Sequence, residues 1–140
     1  MPVENLARSD VITAPPDESI RDLAATMQDE AVGSVVITDD GTPAGIVTDR
    51  DLVTQVLAAG TDPDDVVAED VMADDPHTID HDAGFYQATE LMSERGVRRL
   101  PVTGPDGELA GIITVDDLNE LLADEHQELA EIIRKQRPPY

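Results

Sequence analysis

The sequence predicts an α+β fold made of two tandem β-α-β-β-α motifs that pack as one pseudo-two-fold unit. Three observations support this prediction. The chain contains an internal repeat, each copy alternates extended and helical patterns in the same order, and 140 residues suit one compact domain or two very small ones. Hydrophobic residues make up 40% of the chain and aromatic residues 2%, so the core is expected to be aliphatic.

The repeat appears when Thr13 is aligned with Thr78 and Gly45 with Gly111. The most similar stretches are GIVTDRDL, which begins at Gly45, and GIITVDDL, which begins at Gly111. One inserted residue near 103–105 shifts the register between the two halves of the alignment. Two copies are too few for a solenoid, so a pair of motifs that shares one core is expected.

Each copy predicts the same elements in the same order. Asp17 is expected to cap the first helix, and an Asp-Gly pair predicts the tight turn of each hairpin. Apolar periodicity separates helices from strands. The predicted elements are an extended piece, a helix, two strands and a helix, at 11–13, 19–30, 34–38, 45–48 and 49–59 in the first copy and 78–79, 83–95, 100–102, 111–114 and 115–123 in the second.

Short apolar segments before each copy predict lead-in helices, and Gly60 with Pro63 is expected to end the helix before the connector. A helix beyond the second copy carries an apolar stripe, which we expect a partner subunit to cover. The predicted boundaries are 3–59 for the first motif, 60–70 for the connector, 71–123 for the second motif and 124–140 for the C-terminal helix and tail.

The charge of the chain excludes several functions. Asp and Glu number 31 against 9 Lys and Arg, which gives a net charge of -22. Repulsion between this negative charge and phosphate groups excludes sequence-independent binding to nucleic acid, and it also disfavours binding to anionic membranes. Cysteine is absent, which excludes disulfides, thiolate metal sites and a cysteine nucleophile. The sequence contains neither an apolar run of membrane-spanning length nor a signal-peptide pattern, so a cytoplasmic protein is expected.

The balance of basic residues is also informative. Lys135 is the only lysine, and acidic residues are spread along the whole chain. This acidic composition resembles that of halophilic proteins, whose self-repulsion is screened by molar salt. An ordinary acidic protein is the alternative. The halophilic interpretation predicts that stability falls when KCl is removed.

Neither catalytic nor metal-binding motifs are found in the sequence. His77 and His81 lie close to Asp80 and Asp82, but in a predicted strand and turn this spacing does not align two imidazoles. A solvated turn is the preferred interpretation, and no metal is expected. The chain contains no Ser-His-Asp order, Walker loop or zinc-hydrolase motif, so an enzyme is not expected.

The repeated Gly-apolar-apolar-Thr-x-x-Asp pattern resembles that of CBS domains, named after cystathionine β-synthase. The segments Leu100-Pro101-Val102 and Asp70-Val71-Met72 are similar to the same family. The resemblance covers about residues 3–122. It implies a stand-alone CBS pair without catalysis or a required cofactor.

The resemblance also implies a function. The expected regulatory ligand is an adenine nucleotide (AMP, ADP or ATP) bound in the clefts between the two motifs, where it modulates a partner or the geometry of a homodimer. An unidentified protein target remains open as the regulated partner. The alternatives are a ligand-independent dimerisation or scaffold module, and a binder of S-adenosylmethionine or methylthioadenosine.

Two Thr-x-x-Asp segments stand where a strand meets a helix. Backbone N–H groups at such a junction suit a phosphate, and a carboxylate there can accept hydrogen bonds from a ribose diol. Alternatively, Thr48 with Asp51 and Thr114 with Asp117 form capping boxes. The residues alone favour the capping boxes, and it is the resemblance that favours a nucleotide in at least one cleft.

In the family, each cleft joins the Thr-x-x-Asp segment of one motif to the segment before the middle strand of the other. Arg98 and Arg99 of the first cleft can neutralise phosphates, although ion pairs with surface carboxylates are the alternative. Arg50 is expected to be structural, because the second motif has Asp116 there. The second cleft is expected to be weaker, empty or suited to a less charged adenosyl compound. The expected residues are Thr48, Asp51, Thr78, Ile79, Val97, Arg98 and Arg99 in the first cleft, and Thr13, Ala14, Val32, Gly33, Ser34, Thr114 and Asp117 in the second.

Overall fold

The computed structural model describes residues 1–73 and 76–139, which form two three-stranded sheets, one in each motif. In the first sheet, β1 (Thr13–Ala14) pairs in parallel with β2 (Ser34–Asp39). β2 then pairs antiparallel with β3 (Thr42–Thr48) through a tight hairpin. β-branched residues dominate β2, as expected for a strand that is covered on its faces.

The second sheet repeats the first. β4 (Ile79–Asp80) pairs in parallel with β5 (Arg99–Thr103), which pairs antiparallel with β6 (Leu109–Thr114). The register shifts after Ile37 in the first sheet and after Val102 in the second, and the repeat alignment makes these positions equivalent. The predicted sequence repeat is therefore a structural repeat, and the predicted α+β class is confirmed.

The helices follow the predicted order, with three differences. Ser19, not Asp17, caps the first helix, and its side chain accepts a hydrogen bond from the Asp22 amide at 3.2 Å. Part of the second helix is π-helical, and the two predicted C-terminal helices are one, because neither Gly nor Pro interrupts them. The helices are α1 (Ile20–Glu30), α2 (Asp49–Asp51) with a π-helical continuation (Leu52–Leu57), α3 (Ala68–Val71), α4 (Phe85–Arg95) and α5 (Val115–Gln136).

The lead-in segments are exchanged between the motifs. Val3, in a short 3-10 turn (Val3–Asn5), is fully buried in the core of the second motif. Ala68 and Val71 of α3 are buried in the core of the first motif. The buried residues thus form two hydrophobic clusters, where the sequence predicted one shared core. Each cluster is completed by the lead-in segment of the other repeat, and this exchange ties the motifs together.

Two glycines allow the exchanged segments to pass close to the sheets. A Cβ atom on Gly111 would lie 2.8 Å from the Arg8 carbonyl oxygen, and one on Gly45 would lie 2.9 Å from the Met72 Cβ atom. Only glycine permits such an approach without movement of a neighbour. The contact at Gly111 holds Arg8 beside the Thr-x-x-Asp segment of the second motif.

Candidate functional site

Both Thr-x-x-Asp segments form capping boxes. The Asp51 amide donates to Thr48 Oγ1 at 3.2 Å, and the Thr48 amide donates to Asp51 Oδ2 at 2.9 Å. Thr114 and Asp117 make the same two hydrogen bonds at the same distances. The capping-box interpretation is therefore confirmed in both motifs. In each box one carboxylate oxygen is used, so the second oxygen decides what else the aspartate can bind.

The second carboxylate oxygens have different surroundings. Asp51 Oδ1 has a 3.4 Å contact with Gln55 Nε2, which is long for a hydrogen bond. Asp117 Oδ1 instead accepts a hydrogen bond from Arg8 Nε at 3.1 Å, in an ion pair in which the aspartate side chain is 7% exposed. The Asp51 oxygen can accept a hydrogen bond from a ligand hydroxyl, whereas the Asp117 oxygen already has a charged partner.

The first cleft, of about 410 Å³, lies between the end of β3 and the segment that enters β5. Of the residues expected there, Thr48, Val97, Arg98 and Arg99 line it. Asp51 does not line the cleft and is held behind Thr48 by the capping box. Thr78 and Ile79 also lie outside, because the chain enters β4 here and Ile79 packs into the second core. The lining residues that were not expected are Ile46, Asp49, Arg50 and Gly96.

Three arginines line the first cleft. Arg50, which was expected to be structural, lines the wall together with Arg98 and Arg99. The ion pairs within residues 1–73 and 76–139 are Arg8–Asp117, Arg21–Asp64 and His81–Glu4, and none involves these three arginines. Surface ion pairing, the alternative role for Arg98 and Arg99, is thus not seen in the described part of the chain. Three arginines on the wall of one cleft favour a phosphate ligand.

The second cleft has a volume of about 420 Å³ and lies between the start of β2 and the end of β6. Val32, Gly33, Ser34 and Thr114 line it as expected. Thr13, Ala14 and Asp117 do not: the first two pair with Val36 and Ile37 in the sheet, and Asp117 is buried behind Thr114. The other lining residues are Arg8, Asp10, Val11, Ile12, Ala31, Val36, Arg99, Ile112 and Asp116.

The second cleft contains arginines that the sequence did not predict. Arg8 and Arg99 line it, but Asp10 and Asp116 line it too, and Arg8 is paired with Asp117. In the first cleft three arginines stand against one lining aspartate, Asp49, so positive charge is in excess there, whereas it is compensated in the second cleft. This difference has the direction expected from the sequence, although its cause is not a lack of arginines.

Arg99 lines both clefts. It is the first residue of β5, and its register partner in β6 is Thr114. The two clefts are therefore neighbours, and they share one positive side chain.

One signal could have identified more of these residues. Arg50 and Asp116 occupy equivalent positions of the repeat, directly before the aspartate of each Thr-x-x-Asp segment. Because these segments were assigned to the clefts, the alignment could have predicted both residues on the cleft walls, with opposite charges. Arg8 has no such signal. It reaches the second cleft only because the lead-in segments are exchanged, and a repeat alignment does not show that exchange.

Two further charged contacts of the described residues lie outside both clefts. His81 Nδ1 lies 3.1 Å from Glu4 Oε2 on the surface of the second motif. Within residues 1–73 and 76–139, no group of three His, Asp or Glu side chains is placed to hold a metal ion. Asp64 raises the pKa of the Arg21 guanidinium through a hydrogen bond, away from both clefts. None of the helices in the described ranges is long and apolar enough to cross a membrane.

Comparison with known proteins identifies the repeat. The CBS domain family model matches residues 3–58 and 67–124. An uncharacterised protein of Methanopyrus kandleri is 41% identical over 117 residues, which are 83% of this chain and 60% of that protein. The structure of hypoxic response protein I with two coordinated zinc ions is 29% identical, with a TM-score of 0.78 over 86% of this chain and 98% of that one. The structure of CBSX2 in complex with AMP is 26% identical, with a TM-score of 0.76 over 89% and 98% of the two chains.

Proposed function

The chain belongs to the CBS domain family, and on that premise we propose that it is a non-catalytic regulatory module that binds an adenine nucleotide. The observation that carries the proposal is the set of three arginines on the wall of the first cleft, none of them in an ion pair within the described ranges. The similar structure of CBSX2 holds AMP, which supports the same class of ligand here.

The first cleft provides groups for each part of such a nucleotide. Arg50, Arg98 and Arg99 are suited to the phosphate, because a guanidinium donates two parallel hydrogen bonds to phosphate oxygens. Asp51 Oδ1 is proposed as the acceptor for a ribose hydroxyl: it lies behind Thr48 and outside the lining of the cleft, and its described contact is the long one with Gln55, so this role requires the ligand to reach past Thr48. Ile46 and Val97 supply apolar surface for the adenine ring.

The second cleft is proposed to bind phosphorylated ligands more weakly. Its two arginines are opposed by Asp10 and Asp116 on the wall and by Asp117 behind it. A less charged adenosyl compound such as methylthioadenosine or S-adenosylmethionine suits this balance better than ATP does. AMP is proposed to enter this cleft only after the first is occupied.

Regulation follows from the position of the first cleft between the motifs. Its walls come from β3 and α2 of the first motif and from the segment before β5 of the second. A ligand that contacts both walls favours one relative arrangement of the motifs, and it can regulate a partner only through that difference in affinity.

We infer that the arrangement is transmitted to a second copy of this chain. Apolar grooves of about 620 Å³ and 440 Å³ lie beside α1 and α4, and exposed Leu57 and Leu122 border them. On α5, acidic residues precede Arg134 and Lys135, so antiparallel pairing of two copies would bring opposite charges together. Light scattering after size-exclusion chromatography tests for the dimer. A dimer with a Kd in the nanomolar to micromolar range would persist at a chain concentration of about 10 μM, so a monomer at that concentration would contradict this part of the proposal.

The acidic surface predicts a requirement for salt. Repulsion among the carboxylates is screened only at high ionic strength, where the Debye length falls to about 3 Å at 1 M salt. We expect the melting temperature to fall as KCl is withdrawn. A melting temperature that is constant from about 0.1 M to about 3 M KCl would contradict the halophilic interpretation.

A thermal-shift screen tests the proposed function. The ligands are added at one constant, high KCl concentration, and inorganic phosphate is the control. They are AMP, ADP, ATP, S-adenosylmethionine and methylthioadenosine. A ligand at a hundred times its Kd adds about 2.7 kcal/mol to the free energy of unfolding, which raises Tm by several degrees. A shift with one nucleotide that is absent with phosphate supports the sensor. No shift with any adenosyl compound would favour the ligand-independent scaffold.

A further inference from the structure

Arg8 joins the N-terminal lead-in segment to the second cleft. Its amide donates to the Ile112 carbonyl oxygen at 2.9 Å, and the Ile112 amide donates back to the Arg8 carbonyl oxygen at 2.9 Å. This bridge fixes the backbone beside β6, from which Nε reaches Asp117 Oδ1 at 3.1 Å. The arginine side chain is 63% exposed and the aspartate 7%, so Arg8 neutralises a nearly buried charge from the solvent side.

The first cleft lacks this arginine. The alignment that places Met72 on Ala7 places Ala73 on Arg8, and the close approaches at Gly45 and Gly111 involve these same lead-in positions. An alanine methyl group cannot form an ion pair, so the lead-in segment of the second repeat leaves Asp51 without a charged partner of this kind. The two aspartates therefore differ because of one residue in each lead-in segment.

We propose that Arg8 is an internal competitor for the second cleft and sets the order in which the two clefts fill. The oxygen of Asp117 that corresponds to the ribose acceptor of the first cleft is held by Arg8. A nucleotide that uses Asp117 must displace this guanidinium, whereas a nucleotide that uses Asp51 displaces no charged group. This inference rests on the proposed function, and it assigns the specificity-determining residue of the second cleft.

Displacement of Arg8 has a consequence for the N-terminal segment. Residues that precede Arg8 are held on the second motif by the burial of Val3, whose amide donates to the Ala83 carbonyl oxygen at 2.8 Å, and by the bridge to Ile112. Loss of the ion pair leaves these contacts in place, together with the hydrogen bonds of the Glu4 amide to the His81 carbonyl oxygen and of the Phe85 amide to the Met1 carbonyl oxygen. Occupation of the second cleft is thus expected to loosen the segment near Arg8, while occupation of the first cleft is not.

An NMR titration with AMP tests the proposal, because one glycine lines each cleft. Gly96 lines the first cleft and Gly33 the second. In the wild-type chain the Gly96 signal is expected to move at lower AMP concentration than the Gly33 signal. Arg8→Ala should lower the midpoint at Gly33 about three- to tenfold and leave Gly96 unchanged, because a partly exposed ion pair no longer competes.

The reciprocal variant transfers the competitor to the other cleft. Ala73→Arg should raise the AMP midpoint at Gly96 by a similar factor while the Arg8–Asp117 pair stays intact. This variant keeps the test valid if Arg8→Ala fails to fold, since it leaves no buried charge unpaired. Arg21→Ala removes an arginine whose ion pair with Asp64 lies outside both clefts, and it is expected to change neither midpoint.

Three results would contradict the proposal in distinguishable ways. Suppose that the wild-type chain binds AMP. If Arg8→Ala then lowers the affinity of the second cleft for AMP, Arg8 is a ligand contact, and if the affinity is unchanged, Arg8 has no role in binding; in both cases the proposal is wrong. If no variant binds AMP in either cleft, the proposed function fails as well. An Ala73→Arg chain with an unchanged midpoint at Gly96 would also contradict the role of this position.

Discussion

The first and second clefts are formed by equivalent segments of two motifs, yet they carry different charges. Arg50 on one wall of the first cleft corresponds to Asp116 in the second, and Arg98 on the other wall corresponds to Gly33. The lead-in segments reverse the pattern, since Arg8 of the second cleft corresponds to Ala73.

This difference separates what the repeat preserves from what it leaves variable. Both capping boxes share two hydrogen bonds at the same distances, so the backbone that presents the clefts is shared. The side chains around the boxes are not needed for the fold, and they can specialise. We conclude that one scaffold provides two binding environments, one with excess positive charge and one in which charges are compensated.

The largest effect is expected when the phosphate-binding groups of the first cleft are removed. Arg98→Ala with Arg99→Ala should lower the affinity for AMP in the first cleft at least about a hundredfold, because each charged hydrogen bond contributes about 1.5–3 kcal/mol. The affinity of the second cleft should fall less, since Arg99 lines that cleft and Arg98 does not. Calorimetric titration measures both, with Arg21→Ala as the control. Unchanged affinity in the first cleft would remove the phosphate role of these arginines.

A smaller effect distinguishes the two motifs by their cores. Val3 is fully buried in the second core, so Val3→Ala should reduce the free energy of unfolding by about 2 kcal/mol. Hydrogen exchange should increase first in β5 and β6. The matched variant Val71→Ala should instead loosen β2 and β3, because Val71 belongs to the first core. The exchange of lead-in segments would be contradicted if Val3→Ala raised hydrogen exchange in the first motif and Val71→Ala raised it in the second, because each is the motif that follows the substituted residue in sequence.

The smallest effect comes from making the clefts more alike. Asp116→Arg gives the second cleft the residue of the first, and it should raise the affinity for AMP there about tenfold. Arg50→Asp should lower the affinity of the first cleft by a similar factor. Both are measured by the same titration at constant KCl. If the two changes alter affinity in the same direction, charge does not explain the difference between the clefts.

Much of the fold follows from the repeat. Alignment of Gly45 with Gly111 fixed the order of elements in both motifs, and the two observed sheets share their register irregularity at equivalent positions. Local patterns gave less certain information about helix ends. Ser19 and Asp17 are both good capping residues, and only the start of α1 at Ile20 selects Ser19.

The candidate site was predicted in part, because its residues come from different ranges of the sequence. Thr48 and Arg98 were identified by the motif and by the pairing of clefts that the family resemblance implies. Arg8 was missed, since its place depends on tertiary packing of Val3 on the other motif. Arg99 was assigned to one cleft although it borders two, because a linear alignment does not show that neighbouring clefts share a strand.

The most direct test of the difference between the clefts compares two isosteric variants. Asp51→Asn and Asp117→Asn each keep a side-chain oxygen for the capping box while removing the carboxylate charge. Calorimetric titration with AMP should show that Asp51→Asn loses the tighter binding event by about tenfold or more, whereas Asp117→Asn retains it. Equal loss in both variants, or loss only in Asp117→Asn, would contradict the assignment of the first cleft as the principal nucleotide site.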